Sequence, residues 1–435
     1  MEITRRSPLE LTIVSKLNAD LIVIGGGIIG MTTAYEATRR GLATLLIEAR
    51  EGVGLETSFA NGALLHPSST EPWNAPGVHR HLLASLFDPS SAMKLRLHAI
   101  PSLLTWGPQF LYHSNRRHHE RATRANFLLA QYSVSRTRQV REELGLHYRH
   151  ASTGTIKLFR DHASLQAGAA AAHKLEALGL RFEMLDPARV VTVEPSLGAV
   201  ESDLAGGLRF RGDETGDAFA FCQCLQQEFA RLGGRIVTQA KVEKIAYQSE
   251  RHAIVRTTGG DFQTRSVVVA AGGQSNKILK GLGPSLPIRP AKGYTATYSD
   301  VPPGGPAIPV IDDTFHCALV PLGKDLRIAG TAEFTGNDTR IAGDRVANLR
   351  RLLKQFFPQL AESLADTEPR AWAGLRPMSA DGMPFIGRVG TRNLFVNAGH
   401  GHLGWTSAMG SAAIVVDAIL EEPSAVDASP FRPER

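Results

Sequence analysis

The pattern of apolar and polar positions becomes interpretable at Asp20–Gly30, an apolar run that ends in a glycine turn and reads as a buried strand. The apolar spacing then changes to the helical period over Gly30–Arg40, and Ala43–Glu48 is a second apolar strand. Strand, helix and strand within about 30 residues make a βαβ unit. From Arg80 to Leu197 the pattern is mostly helical, with one strand at Thr155–Phe159. Helix-like Cys222–Leu232 is followed by strand-like Arg235–Val237, Val242–Tyr247 and Ala253–Thr257, then by the apolar strand Ser266–Ala271. A second block of strands, Tyr294–Tyr298, Cys317–Val320 and Leu326–Ala329, leads into helix-like Asp344–Phe357. A strand at Asn393–Asn397 and a helix from Thr406 to Leu420 close the pattern. A chain of 435 residues exceeds what one core supports, so two lobes are expected. No repeat or low-complexity linker separates them, and they interleave in sequence.

Within the βαβ unit, Gly25-Gly26-Gly27-Ile28-Ile29-Gly30 spells G-x-G-x-x-G, and Glu48 ends the second strand 23 residues after Gly25. The glycines allow a tight turn and close backbone approach to a pyrophosphate, which the helix N-terminus attracts. A carboxylate at Glu48 suits a ribose hydroxyl and repels a 2′-phosphate. Gly399-His400-Gly401-His402-Leu403-Gly404 repeats the spelling, but only 31 residues follow, without a strand ending in an acid. The second turn therefore reads as a helix N-terminus brought against something electron-rich, with one dinucleotide bound and no nicotinamide domain. His400-x-His402 lacks a nearby carboxylate or cysteine, so no metal is expected. Cys222-x-Cys224 on a helix points two ways and reads as core.

Composition changes the picture in two places. With only Cys222, Cys224 and Cys317, a disulfide framework is excluded and a reducing, cytoplasmic setting fits. No uninterrupted apolar run approaches the ~20 residues of a membrane span, and no signal-peptide pattern follows Arg5 and Arg6. The net charge of +6 is concentrated at Met93–Arg124, where six Lys/Arg face one acid, Glu120, giving +5. Trp106, Phe110, Tyr112 and Leu103–Leu104 lie in the same stretch. Such a segment suits the inner face of an anionic membrane or a nucleic acid, but the favoured reading is a solvated helical hairpin with a buried face. It lacks a recognisable RNA-binding module, so no nucleic-acid partner is expected.

With Thr57-Ser58-Phe59-Ala60-Asn61-Gly62, Gly374-Leu375-Arg376-Pro377 and Gly399–Thr406 in view, the chain resembles the FAD-dependent D-amino-acid oxidase/glycine oxidase superfamily. Within it, the bacterial D-amino acid dehydrogenase branch is most similar, from about Asp20 to Leu420. Further echoes are Pro72-Trp73-Asn74-Ala75-Pro76-Gly77, Asp213-Glu214-Thr215-Gly216-Asp217 and Lys292-Gly293-Tyr294. The resemblance implies an α/β fold, with a Rossmann-type FAD-binding lobe interleaved with an α+β substrate lobe carrying a mixed sheet. Residues 19–80, 205–280 and 370–422 would form the FAD lobe, 81–204 and 281–369 the substrate lobe, and 1–18 and 423–435 tails. Carried over by position, Gly25, Gly27 and Gly30 hold the pyrophosphate, Glu48 the ribose, and the Val242 backbone the adenine. Ser58 and Asn61 lie beside the isoalloxazine, and Gly401, Gly404 and Thr406 belong to the segment covering its pyrimidine end. Arg376 matches the arginine that clamps the substrate carboxylate; its purely structural alternative is a pair with Asp381 across the turn.

The activity implied is oxidation of a D-amino acid by hydride transfer from Cα to flavin N5, with hydrolysis to a 2-oxo acid and ammonia. FAD would be non-covalent, and the electrons would go to a quinone or another acceptor in preference to O₂. The chain departs from the branch at His402, where a threonine is usual, and at Gly62-Ala63-Leu64-Leu65-His66-Pro67. His66 and His402 are thus candidates to contact a polar substrate group or to help accept the amine proton, or are structural. Small neutral D-amino acids lead as substrates, followed by a cyclic D-imino acid such as hydroxy-D-proline, another secondary amine or a 2-hydroxy acid. Relatives of the fold in tRNA modification are the remote alternative.

Overall fold

The computed structural model describes residues 18–80 and 93–435, so the expectation of a tail at 1–18 falls almost wholly outside it. The βαβ unit is present as strand Asn18–Ile24, helix Ile28–Arg39 and strand Thr44–Ile47. These strands lie in an eight-stranded sheet whose parallel centre runs Arg235–Val237, Thr44–Ile47, Asn18–Ile24, Gly260–Val269, Leu394–Ala398. Leu21–Ile24 and Val267–Val269 are buried throughout, which explains why they read as continuous apolar runs. The hairpin Val242–Ser249 and His252–Thr257 extends this sheet antiparallel on one side.

Helix Gly404–Leu420 packs on Ile28–Arg39 and on the long helix Arg116–Leu144. It is mostly apolar and, with the turn before it, is long and apolar enough to pass for a membrane span. Most of it is buried inside the protein, so it is a core helix. It is not an uninterrupted apolar run, because Thr406, Ser407, Ser411 and Asp417 lie within it; the hydroxyls of Ser407 and Ser411 bond back to backbone carbonyls, and Asp417 pairs with Arg40.

The second sheet has nine strands, ordered Arg370–Ser379, Ile288–Tyr298, Asp325–Phe334, Cys317–Leu322, Val310–Asp312, Thr155–Phe159, Gly206–Phe210, Glu183–Leu185, with Met93–Leu95 beside Asp325–Phe334. It is mixed, as expected. Two expected lobe segments need trimming, because Gly206–Phe210 and Arg370–Ser379 pair in this sheet and not in the parallel one. Residues 423–435 are no loose tail either. Phe431 is 1% exposed in the core under the parallel sheet, and Arg435 forms a bidentate pair with Asp381 at 2.7 and 2.9 Å.

The Asp213–Asp217 motif is structural from end to end. Ser68 and Thr155 donate to Asp213 Oδ2 at 2.5 and 2.6 Å, and burial pushes this carboxyl up to about 6. Glu214 pairs with Arg138 and Arg141, Thr215 joins the short ladder with Leu64–Leu65, and Asp217 caps helix Ala218–Arg231. Together they pin the Leu64–Ser68 loop between the two sheets.

Candidate active site

Between the sheets lies a cavity of about 1740 Å³, beyond the ~300–1,000 Å³ typical of a drug-sized ligand. One end is the first glycine turn. Gly25 has φ +106°, and a Cβ on Gly30 would stand 1.7 Å from the Gly25 carbonyl oxygen, so glycine is obligatory there. Gly25, Gly27, Ile28 and Ile29 line the cavity, and the first turn of the helix has no acidic side chain to offset its dipole. Ser58 Oγ accepts the Ile28 N–H at 2.9 Å. Glu48 accepts from the backbone N–H groups of Gly26 and Arg50, and lines the cavity together with Val242.

The second glycine turn opens on the same cavity. Gly399 and Gly401 take φ +82° and +57°, and His400, Gly401, His402 and Gly404 line the wall. His400 is buried with Nε2 lacking a hydrogen-bond partner among the described residues, and burial pushes its pKa down to about 3. His402 stacks on Trp73 with ring centroids 5.6 Å apart. Burial first, then the neighbouring His66 and Arg376, lower its pKa to about 3. His66 is lowered to about 4, again by burial.

Arg376 sits opposite, on strand Arg370–Ser379 at the edge of the nine-stranded sheet. Its neighbour across the ladder is Ala291, and the guanidinium lies over Gly293, where a Cβ would stand 2.4 Å from Cζ. Trp73 covers it, with Cζ 5.5 Å from the ring centre. Among the described residues no carboxylate lies within ion-pair distance of Arg376; Asp381, the structural alternative, is taken by Arg435. Arg376 presents accessible surface to the cavity but is otherwise enclosed, and that burial lowers its pKa to about 10, so it remains charged at neutral pH. A half-buried cation without a carboxylate partner beside an open cavity is a receptor for an anion.

A family model described as FAD dependent oxidoreductase matches residues 20–418. The chain belongs to this family. The D-amino acid dehydrogenase of Rhizorhabdus wittichii is 35% identical over 408 residues, covering 94% of this chain and 97% of its own length. That of Granulibacter bethesdensis is 34% identical over 408 residues, covering 94% and 97%. Among solved structures, glycine oxidase from Geobacillus kaustophilus superposes with TM-score 0.76 at 23% identity, covering 96% of this chain and 99% of that one. L-proline dehydrogenase from P. horikoshii gives 0.77 at 19%, covering 97% and 98%. These structures share the fold.

FAD is the cofactor of this flavoenzyme, and the site fits it. Bare glycine backbone, an uncompensated helix N-terminus, the Glu48 carboxylate and the orphaned His400 Nε2 are spread along one cavity. Gly25, Gly27, Glu48, Ser58, Asn61, Val242, Gly401, Gly404, His66, His402 and Arg376 all line it. Gly30 and Thr406 do not. Gly30 packs the helix against Gly25 and Ala270, while Thr406 is 1% exposed and ties the last helix to the loop, its Oγ1 bonded to His66 N and Leu64 O. Ser58 lies at the helix N-terminus of the first turn, and Asn61 Oδ1 is spent on the Ala63 N–H. Sequence reasoning gave no role to Gly293 or Trp73, although both stand in quoted motifs. Glu71, Lys157 and Thr331, which also line the cavity, carried no local signal.

Proposed function

We propose that this flavoenzyme oxidises D-amino acids to 2-oxo acids and ammonia, passing the electrons to an acceptor other than O₂, such as a quinone. The observation that carries the reading is Arg376: a half-buried guanidinium without a carboxylate partner among the described residues, facing the cavity. Its planar fork grips a carboxylate through two parallel hydrogen bonds and so fixes the orientation of Cα. Bound FAD supplies the two-electron acceptor for the hydride leaving Cα. Gly25 and Gly27 would face the pyrophosphate, Glu48 the ribose and the Val242 backbone the adenine, with Asn61, Gly401 and Gly404 nearer the reacting end. Ser58 would steady the helix terminus that meets the pyrophosphate. His66 and His402, held neutral by burial, are hydrogen-bond partners for substrate or flavin; as bases their lowered pKa values of about 4 and 3 would make them weak. The flavin is non-covalent in this reading: burial raises the Cys317 thiol, the one cysteine on the cavity wall, and suppresses its thiolate.

The reading includes peripheral docking at the inner face of a membrane. Of the seven exposed large apolar side chains among the described residues, five are Leu97, Ile100, Leu104, Leu111 and Tyr112. Exposed Arg116, Arg117, Arg121 and Arg124 follow directly, which suits an anionic bilayer.

The test is an anaerobic panel of D- and L-amino acids with the purified holoenzyme, following flavin bleaching, with Arg376→Ala alongside. Charge-assisted hydrogen bonds are worth ~1.5–3 kcal/mol each, so kcat/KM should fall by about two orders of magnitude or more while flavin content holds. Bleaching by L- but not D-amino acids, or near-normal kinetics in the alanine variant, would refute the reading.

A further inference from the structure

Strand Asp325–Phe334 crosses the cavity floor next to Ile288–Tyr298, and its ladder slips by one residue: Gly293 pairs with Ala332, but Tyr294 pairs with Gly330. Thr331 is the residue left over. Such bulges re-aim a side chain and are common beside active sites. Thr331 takes φ +52°, a left-handed conformation that a β-branched residue adopts only at a cost. It is 6% exposed, it lines the cavity, and its hydroxyl has no hydrogen-bond partner among the described residues. Backbone strain and an unpaired buried hydroxyl at one residue are two destabilising features, and strain of this kind gathers where a ligand is held.

The position tells which ligand atom the hydroxyl faces. The Arg376 guanidinium occupies the space over Gly293, and Gly293 pairs with Ala332, so Thr331 is one strand and one residue away. Neighbouring strands are ~4.8 Å apart. The flanking Gly330 and Ala332 offer no polar side chain. In an α-amino acid, the polar atom next after the carboxylate is the α-nitrogen. We propose that the Thr331 hydroxyl receives the substrate's α-nitrogen. It accepts one N–H of the neutral amine and leaves the nitrogen lone pair free to build the C=N bond as Cα is oxidised. This rests on Arg376 as the carboxylate clamp.

The experiment uses holoenzyme and two probes of one skeleton, D-alanine as substrate and propanoate, which lacks the nitrogen, as competitive inhibitor. Thr331→Val should lower kcat/KM for D-alanine about tenfold or more and leave the propanoate inhibition constant within about twofold, as expected for one lost neutral hydrogen bond whose partner stays buried. Thr331→Ser should restore most of the loss. Thr331→Gly, which removes both hydroxyl and strain, should lose the same activity with a Tm no lower than wild type. Unchanged kcat/KM in the valine variant, a parallel loss of propanoate binding, no rescue by serine, or a collapse of Tm in the glycine variant would each overturn the proposal. If Arg376→Ala leaves propanoate inhibition intact, the clamp itself is wrong, which the Thr331 variants alone would not produce.

Discussion

The two glycine turns, Gly25–Gly30 and Gly399–Gly404, have the same spelling and the same place in one sheet, each joining a parallel strand to a helix. Their chemistry differs. The first is followed by strand Thr44–Ile47, which delivers Glu48 beside it; the second has no following strand among the described residues and instead carries two neutral histidines, His400 buried and His402 half-buried. Their third glycines differ as well. A Cβ on Gly30 would collide with the Gly25 carbonyl at 1.7 Å, whereas a Cβ on Gly404 would make an ordinary 3.7 Å contact with His400 Cβ. The middle glycines differ too, Gly27 being extended at φ −68° and Gly401 left-handed at φ +57°, so the shared spelling does not fix one backbone shape and the neighbouring elements decide what each turn can hold. In the proposed reading the first turn would face phosphate and ribose, and the second an electron-rich group.

The largest effect that would test this contrast is Gly30→Ala. The helix must leave its strand to admit the methyl group, so a loss of about 3 kcal/mol or more and almost no bound flavin are expected. Denaturant unfolding and the flavin-to-protein absorbance ratio read both; a normal yellow protein would show that the close approach is dispensable.

Next comes pH. His400 and His402 have folded pKa values near 3 against about 6.5 unfolded, so the unfolded state binds the protons first as pH falls. Their contribution is complete above the unfolded pKa and is lost below it. Between pH 7 and 5.5 the pair should cost about 2 kcal/mol, partly offset by Asp213, whose raised pKa of about 6 works in the opposite sense over the same window. The slope should flatten in a His400→Asn, His402→Asn double variant, and an unchanged slope would place those rings in water.

A smaller change is expected from Glu48→Gln, which keeps the shape but removes the charge that Gly26 and Arg50 N–H groups bind. FAD affinity measured by fluorescence titration should weaken about tenfold, near 1.4 kcal/mol. No change would mean that Glu48 shapes the turn without meeting the ribose.

The smallest effect belongs to Gly404→Ala. The residue has helical dihedrals and space for a methyl group, so a gain of up to about 1 kcal/mol is expected, with flavin retained. Behaviour like that of Gly30→Ala would erase the distinction between the turns.

What the sequence determined by itself is local. The apolar runs, the switch to helical spacing, the glycine turn and the distance to Glu48 all act within some 30 residues, and the βαβ unit follows from them. Arg376 was visible as a residue in a motif and, by resemblance, as a carboxylate clamp, but its lack of a carboxylate partner was not, because being unpaired is a property of its surroundings. Only the tertiary structure gave Asp381 to Arg435, placed Gly293 beneath the guanidinium and left Thr331 over in the ladder. The same holds for Gly206–Phe210 and Arg370–Ser379, which show no regular alternation of buried and exposed positions and whose place is decided by the strands they pair with. A period of two reports which face is buried, while strand pairing, burial of a helix such as Gly404–Leu420 and the missing counter-ion of a charge arise from contacts between residues far apart in the chain.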